Sequence, residues 1–103
     1  MSELEALRSK TAEGPWLLLF GAKWAPPSLI LDKAVRDTLP EGLSYLFLDV
    51  ESEGPYADLH NVVTIPTIIT LVTGRELDRR VGAVSASEMI SMARTALNYS
   101  NKA

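Results

Sequence analysis

The 103 residues contain no cysteine. The chain therefore cannot form a disulfide, hold zinc through thiolates or perform thiol chemistry. Histidine occurs once, at His60, so a two-histidine metal box is excluded, and no metal site or other cofactor is expected. His60 reads as a half-exposed loop residue. Neither sign of charge dominates: 10 Lys and Arg against 13 Asp and Glu give a formal net charge of −3. The two signs are interspersed, which does not build the basic surface that follows phosphates, so nucleic acid is not an expected partner. No apolar run reaches the roughly 18 residues of a membrane span, and "MSELEALRSKTAEG" lacks the basic and then apolar order of a secretion signal. No membrane association and a cytoplasmic location are expected.

The sequence does have enough apolar content, 47%, with 22% charged residues, to bury a core without staples. One domain over residues 1–103 is expected, and no repeat or low-complexity segment interrupts it.

Ser2 followed by Glu5 is a capping box, and Leu4 and Leu7 share a face, so a helix is expected from about 3 to 12, broken by Gly14 and Pro15. "WLLLF", 16–20, is apolar on consecutive residues, the mark of a strand covered on both faces. From Ser28 the period becomes helical, with Leu31, Ala34, Val35 and Leu39 on one face before Pro40 and Gly42. "LSYLFLDV", 43–50, is the next strand, and the helix between the two makes a right-handed parallel βαβ unit. A short helix is expected at 56–60. Strands at 67–72 and about 77–81, joined through Gly74, can only form an antiparallel hairpin. Ser85 and Glu88 cap a last helix over about 86–98, with Met89, Ile90, Ala93 and Leu97 inward and a frayed tail beyond Asn98. No exposed apolar stripe is evident. The order α, β, α, β, short α, β, β, α specifies an α/β fold.

Three motifs fall at the joints of this order: "KWAPPS" between the first strand and second helix, "TIPT" before the hairpin and "RVGA" after it. Together they resemble the thioredoxin family. Its W-C-G-P-C, I-P-T and V-G-A motifs match Trp24 to Ser28, Ile65 to Thr67 and Val81 to Ala83, and the likeness extends over residues 3–98. The resemblance implies a thioredoxin fold with a central four-stranded mixed sheet flanked by helices, since the family's extra N-terminal strand has no counterpart. It also implies that Ala25 and Ser28 occupy the positions of the nucleophilic and resolving cysteines. Trp24 would cover one flank of the site and Pro26 and Pro27 would replace Gly-Pro. Pro66 would follow a cis bond, with Thr64, Ile65, Gly82 and Ala83 forming the substrate groove. Leu19 stands where the family has a buried acid, and Lys33 where many members have a helix-kinking proline. The implied partners are disulfide-bearing protein substrates and a thioredoxin-reductase-like electron donor, acting on a monomer.

Simple physical chemistry agrees with such a site. A helix start directs backbone N–H groups and the positive end of the macrodipole at its first turn, which lowers the pKa of a thiol held there. Alanine cannot attack a disulfide, and a serine hydroxyl cannot form one. The chain as written therefore reads as a redox-inactive form of a W-C-P-P-C oxidoreductase with Cys to Ala and Cys to Ser replacements. The competing account is a redox-silent module that keeps the groove for binding a protein. Hydrolysis by Ser28 with His60 as base has no oriented triad behind it, and Trp24 read as core packing is the bland alternative to its role at the site.

Overall fold

The computed structural model describes residues 2–102. The elements in chain order are α1 (Glu3–Lys10), β1 (Pro15–Gly21), α2 (Pro26–Thr38), β2 (Ser44–Asp49), α3 (Gly54–Leu59), β3 (Thr67–Val72), β4 (Arg75–Val81) and α4 (Ala86–Lys102). The strands form one sheet in the order β2-β1-β3-β4. β1 and β2 run parallel, and the β1–β3 and β3–β4 pairs are antiparallel. This is the expected four-stranded mixed sheet flanked by helices.

The sheet is covered on both faces, which explains the unbroken apolar run of β1. Leu17 and Leu19 enter a core with Leu31 and Val35 of α2 and Met89, Met92, Ala93 and Ala96 of α4. Trp16, Leu18 and Phe20 enter a second core with Tyr56 and Ala57 of α3, against which Leu4 and Leu7 of α1 pack. Alternate residues of one strand thus serve opposite layers. A fully buried leucine contributes about 2–3 kcal/mol, so β1 is the element on which both cores depend.

Both serines cap their helices through the hydroxyl and bond the glutamate three residues on. The Ser2 hydroxyl accepts the Glu5 N–H at 3.1 Å and donates to Glu5 Oε1 at 3.2 Å, and Ser85 treats Glu88 in the same way at 3.1 and 3.2 Å. The β3–β4 hairpin turns on two residues, Thr73 and Gly74, at φ 49° and 80°, the pattern of a type I′ turn. That tight turn lets β4 begin at Arg75, earlier than the expected 77.

Several helix boundaries also differ from the sequence reading; α3 spans Gly54–Leu59 where 56–60 was expected. α2 starts at Pro26, two residues before Ser28, because proline is well suited to the first helical turn, where an N–H would lack a partner. α1 ends at Lys10, with Thr11 as its C-cap. α4 runs on to Lys102, so the tail expected to fray from Asn98 is helical. No glycine or proline follows Gly82, and Asn and Ser lower helix propensity without ending a helix. The inward stripe of α4 is also rotated: Met92 and Ala96 are fully buried, while Ile90 and Leu97 are half-buried.

Candidate functional site

β1 ends at Gly21 and the chain crosses residues 22–25 into α2. Ala25 is the N-cap in extended conformation, and Pro26 and Pro27 occupy the first two helical positions. Neither proline has an N–H. The next two donors, the N–H groups of Ser28 and Leu29, both bond the Ala25 carbonyl, at 3.0 and 3.2 Å. The start of α2 therefore offers the positive end of the helix dipole, but the freely directed N–H groups expected from the sequence are absent here, because prolines replace two of them and Ala25 takes the others.

Ser28 is wholly buried. Its hydroxyl accepts the Ala22 N–H at 3.2 Å, tying the helix start back to the crossing loop. Ala25 is buried beside it. A hydroxyl sealed in this way cannot meet a substrate, and His60 is engaged elsewhere. Its ring packs edge-on to Tyr56 at 4.7 Å and lies 5.9 Å from Phe20, and burial pulls its pKa below the ordinary histidine value. His60 is half-buried, as expected. These surroundings give the hydrolytic reading no support.

A brace that sequence reasoning did not identify fixes the loop. Asp49, at the end of β2, is buried. It accepts the Lys23 N–H at 3.1 Å through Oδ2 and the Glu51 N–H at 2.8 Å through Oδ1. The backbone N–H of Glu51 and then that of Lys23 hold its carboxyl below the usual carboxylate range. Glu51 in turn accepts the Trp24 indole N–H at 2.8 Å. Trp24 is 67% exposed, so it is a tethered surface platform, and core packing does not describe it. The only sequence signal for the brace was an acid at the C-terminal end of a strand beside the loop.

The other side of the site follows from strand register. Phe20 pairs with Thr67, and Thr67 with Val81. One step further along the three strands, Gly21, Pro66 and Gly82 form a row at the same end of the sheet. The Gly82 N–H closes that row on the Pro66 carbonyl at 2.8 Å. The Ile65–Pro66 bond is cis, as the resemblance implied, and Gly82 has φ 89°. A side chain at Gly82 would meet nothing within 4 Å, so the glycine serves its left-handed backbone conformation. The Thr64 carbonyl accepts the Thr67 hydroxyl at 2.6 Å. Among the described residues, the backbone N–H and carbonyl of Ile65 have no hydrogen-bond partner. Ala83 is exposed at the rim.

Several exposed apolar side chains sit on the segments that meet at this end of the sheet, where no exposed apolar stripe was evident in the sequence. Trp24, Leu29, Ile30, Val63 and Val81 are all solvent-facing, Val63 at 94%. In the sequence, Leu29 and Ile30 merge with the buried stripe of α2, and only the observed helix phase, with Leu31 and Val35 inward, separates them. Leu19 is fully buried among apolar neighbours, and Lys33 lies on the outer face of α2 in an ion pair with Asp37 at 2.9 Å. Among the described residues no group of three His, Cys, Asp or Glu could hold a metal, and no helix is long and apolar enough to cross a membrane.

A thioredoxin of Chlamydia trachomatis is 30% identical to the chain over 91 residues, covering 85% of this chain and 88% of that protein. The chain belongs to the thioredoxin family. The putative thioredoxin H10 of Arabidopsis thaliana is 33% identical over 66 residues, 62% of this chain and 43% of that protein. No family profile matches the chain. Among solved structures, a mutant thioredoxin from Halobacterium salinarum superimposes with a TM-score of 0.80 at 17% identity, covering 94% of this chain and 87% of that one. The oxidised thioredoxin of Plasmodium falciparum gives 0.78 at 16% identity, covering 88% and 89%. These two establish the thioredoxin fold. The chain has no cysteine, and the resemblance assigns Ala25 and Ser28 to the two cysteine positions of its W-C-x-x-C motif.

Proposed function

We propose that the chain is the scaffold of a dithiol-disulfide oxidoreductase for protein substrates, redox-silent because Ala25 and Ser28 fill its two reactive positions. The observation that carries this reading is the start of α2. Position 25 sits at the positive end of a 13-residue helix, where a sulfur would be stabilised as thiolate. Position 28 lies one turn along, sealed from solvent and within hydrogen-bond reach of the Ala22 N–H.

With cysteine at both positions the reaction balances within the protein and its target. The thiolate at 25 attacks one sulfur of a substrate disulfide, forming a mixed disulfide and releasing the other sulfur as a thiolate that takes up a proton. The thiol at 28, once deprotonated, attacks the sulfur at 25 and releases the second substrate thiol. The substrate gains two electrons, and the pair at 25 and 28 is left oxidised. A thiol donor or a thioredoxin-reductase-like protein would restore it, in a reducing compartment such as the cytoplasm. Trp24, Pro26, Pro27 and Pro66 would border the reacting sulfurs. The unpaired backbone of Ile65 would receive an extended substrate segment, with Thr64, Gly82 and Ala83 along its path.

The exposed apolar side chains of Trp24, Leu29, Ile30, Val63 and Val81 favour a second reading, a redox-silent module that binds a partner through the same groove. Buried Leu19 in place of the family's acid also fits it. The codons for positions 25 and 28 in the gene separate the origins of the two, and the double substitution Ala25→Cys with Ser28→Cys tests the chemistry. Catalysed reduction of a protein disulfide supports the first reading, and an inert double variant supports the second.

A further inference from the structure

The two edges of the sheet are built differently. On β4, five of seven residues are charged: Arg75, Glu76, Asp78, Arg79 and Arg80. Its pairing with β3 also breaks register at Thr70/Leu71. Charges and an irregular register are the devices that keep an edge strand from pairing with another chain. β2, at the opposite edge, has neither. It reads Ser44-Tyr45-Leu46-Phe47-Leu48-Asp49, without a charge before its last residue, and the carboxylate of that residue is bound to the Lys23 and Glu51 N–H groups. Tyr45, Leu46 and Phe47 are half-buried. The outer backbone groups of this strand have no neighbouring strand.

We propose that β2 is a self-pairing edge, through which two copies of the chain join antiparallel about a two-fold axis beside Leu46 into one eight-stranded sheet. This is a dimer in place of the monomer expected from the sequence, and it does not rest on the redox reading. Residues directly opposite in an antiparallel pair must point to the same face, so the axis has to pass beside a residue, and Leu46 is central. Leu46 then meets its own copy, Tyr45 meets Phe47 twice, Ser44 meets Leu48, and Asp49 falls opposite Leu43. No like charges oppose one another, and the two aromatic pairs are of the kind that stabilise a sheet.

The flank of the edge admits a second copy. The Tyr45 hydroxyl donates to Asp32 Oδ1 at 2.6 Å, and the Arg36 guanidinium lies 5.6 Å from the centre of the Tyr45 ring. Asp32 and Arg36 are opposite charges one helical turn apart. They are joined to each other at 3.0 Å within the chain, so this flank presents no net charge to repel a second copy. An isologous interface brings the same patch of both copies together, and this patch does not oppose itself.

Sedimentation equilibrium of the unaltered protein decides the proposal, with a mass rising with concentration to twice the 11.3 kDa of the chain as the expected result. Because the chain has no cysteine, Leu46→Cys reports the geometry. Under mild oxidation it is expected to form a covalent dimer much faster than Val63→Cys, an exposed control far along the chain. A single species of 11.3 kDa up to the solubility limit overturns the proposal, as does cross-linking of a folded Leu46→Cys no faster than that of Val63→Cys. Should Leu46→Cys fail to fold, the mass of the unaltered protein settles the matter alone.

Discussion

Gly21 and Ser28 approach so closely that a Cβ on Gly21 would lie 2.5 Å from the Ser28 Oγ and 2.6 Å from its Cβ. The end of β1 and the first turn of α2 are thus pressed together with no room for a methyl group. Gly21→Ala is expected to cost about 1–3 kcal/mol, as overpacking does, measured as a lower midpoint in urea. Ser28→Gly in the same chain removes the colliding atoms, so the double variant should lose less than the sum of the single losses.

The Asp49 brace should make stability depend on pH. Its folded pKa is depressed, chiefly by the Glu51 N–H, so its contribution is full above the ordinary aspartate value and is lost as pH falls through the depressed one. Asp49→Asn cannot accept both N–H groups through ionised oxygens. The variant should be less stable than the parent at neutral pH, and the gap should narrow in acid below the carboxylate range. Urea midpoints at several pH values check this; a gap that is constant with pH would refute it.

Trp24 gives the groove its own reporter. Of the two tryptophans, Trp16 is buried, with its indole N–H on the Glu13 carbonyl at 2.9 Å, while Trp24 is exposed and tethered to Glu51. Addition of an extended apolar peptide is expected to shift Trp24 emission to the blue and quench it. Trp24→Phe should abolish that change, and Glu51→Gln should weaken it by loosening the platform. An identical response from Trp24→Phe would place the peptide elsewhere.

Leu17, fully buried in the core beneath α2 and α4, marks how far the fold depends on β1. Leu17→Ala should lower stability by about 2–5 kcal/mol, read from the same urea curves. A loss under about 1 kcal/mol would mean that the layer repacks around the cavity.

The fold was legible because its signals are periodic or local. The unbroken apolar β1, the two Ser–Glu capping pairs and the glycine of the hairpin turn each act within a few residues. The motifs also marked Pro66 and Gly82, which lie side by side in one row with Gly21. Gly21 and Asp49 were not legible, because a close approach and a cross-strand carboxylate are properties of packing between elements distant in sequence. The outward phase of Leu29 and Ile30 was hidden for a related reason: beside Leu31, three successive apolar residues leave the helix face undetermined. Helix length failed at α4 because Asn98 imitates a stop without being one.

The claim that this thioredoxin-family scaffold is set up for two sulfurs is tested most directly by the rate at which Ala25→Cys/Ser28→Cys reduces a protein disulfide with a small dithiol as donor at neutral pH. The expected result is a rate well above that of the donor alone, a thiol at position 25 ionising below the ordinary cysteine value, and a stable mixed disulfide when only Ala25→Cys is made. A correctly folded double variant that adds nothing to the rate of the donor would contradict it.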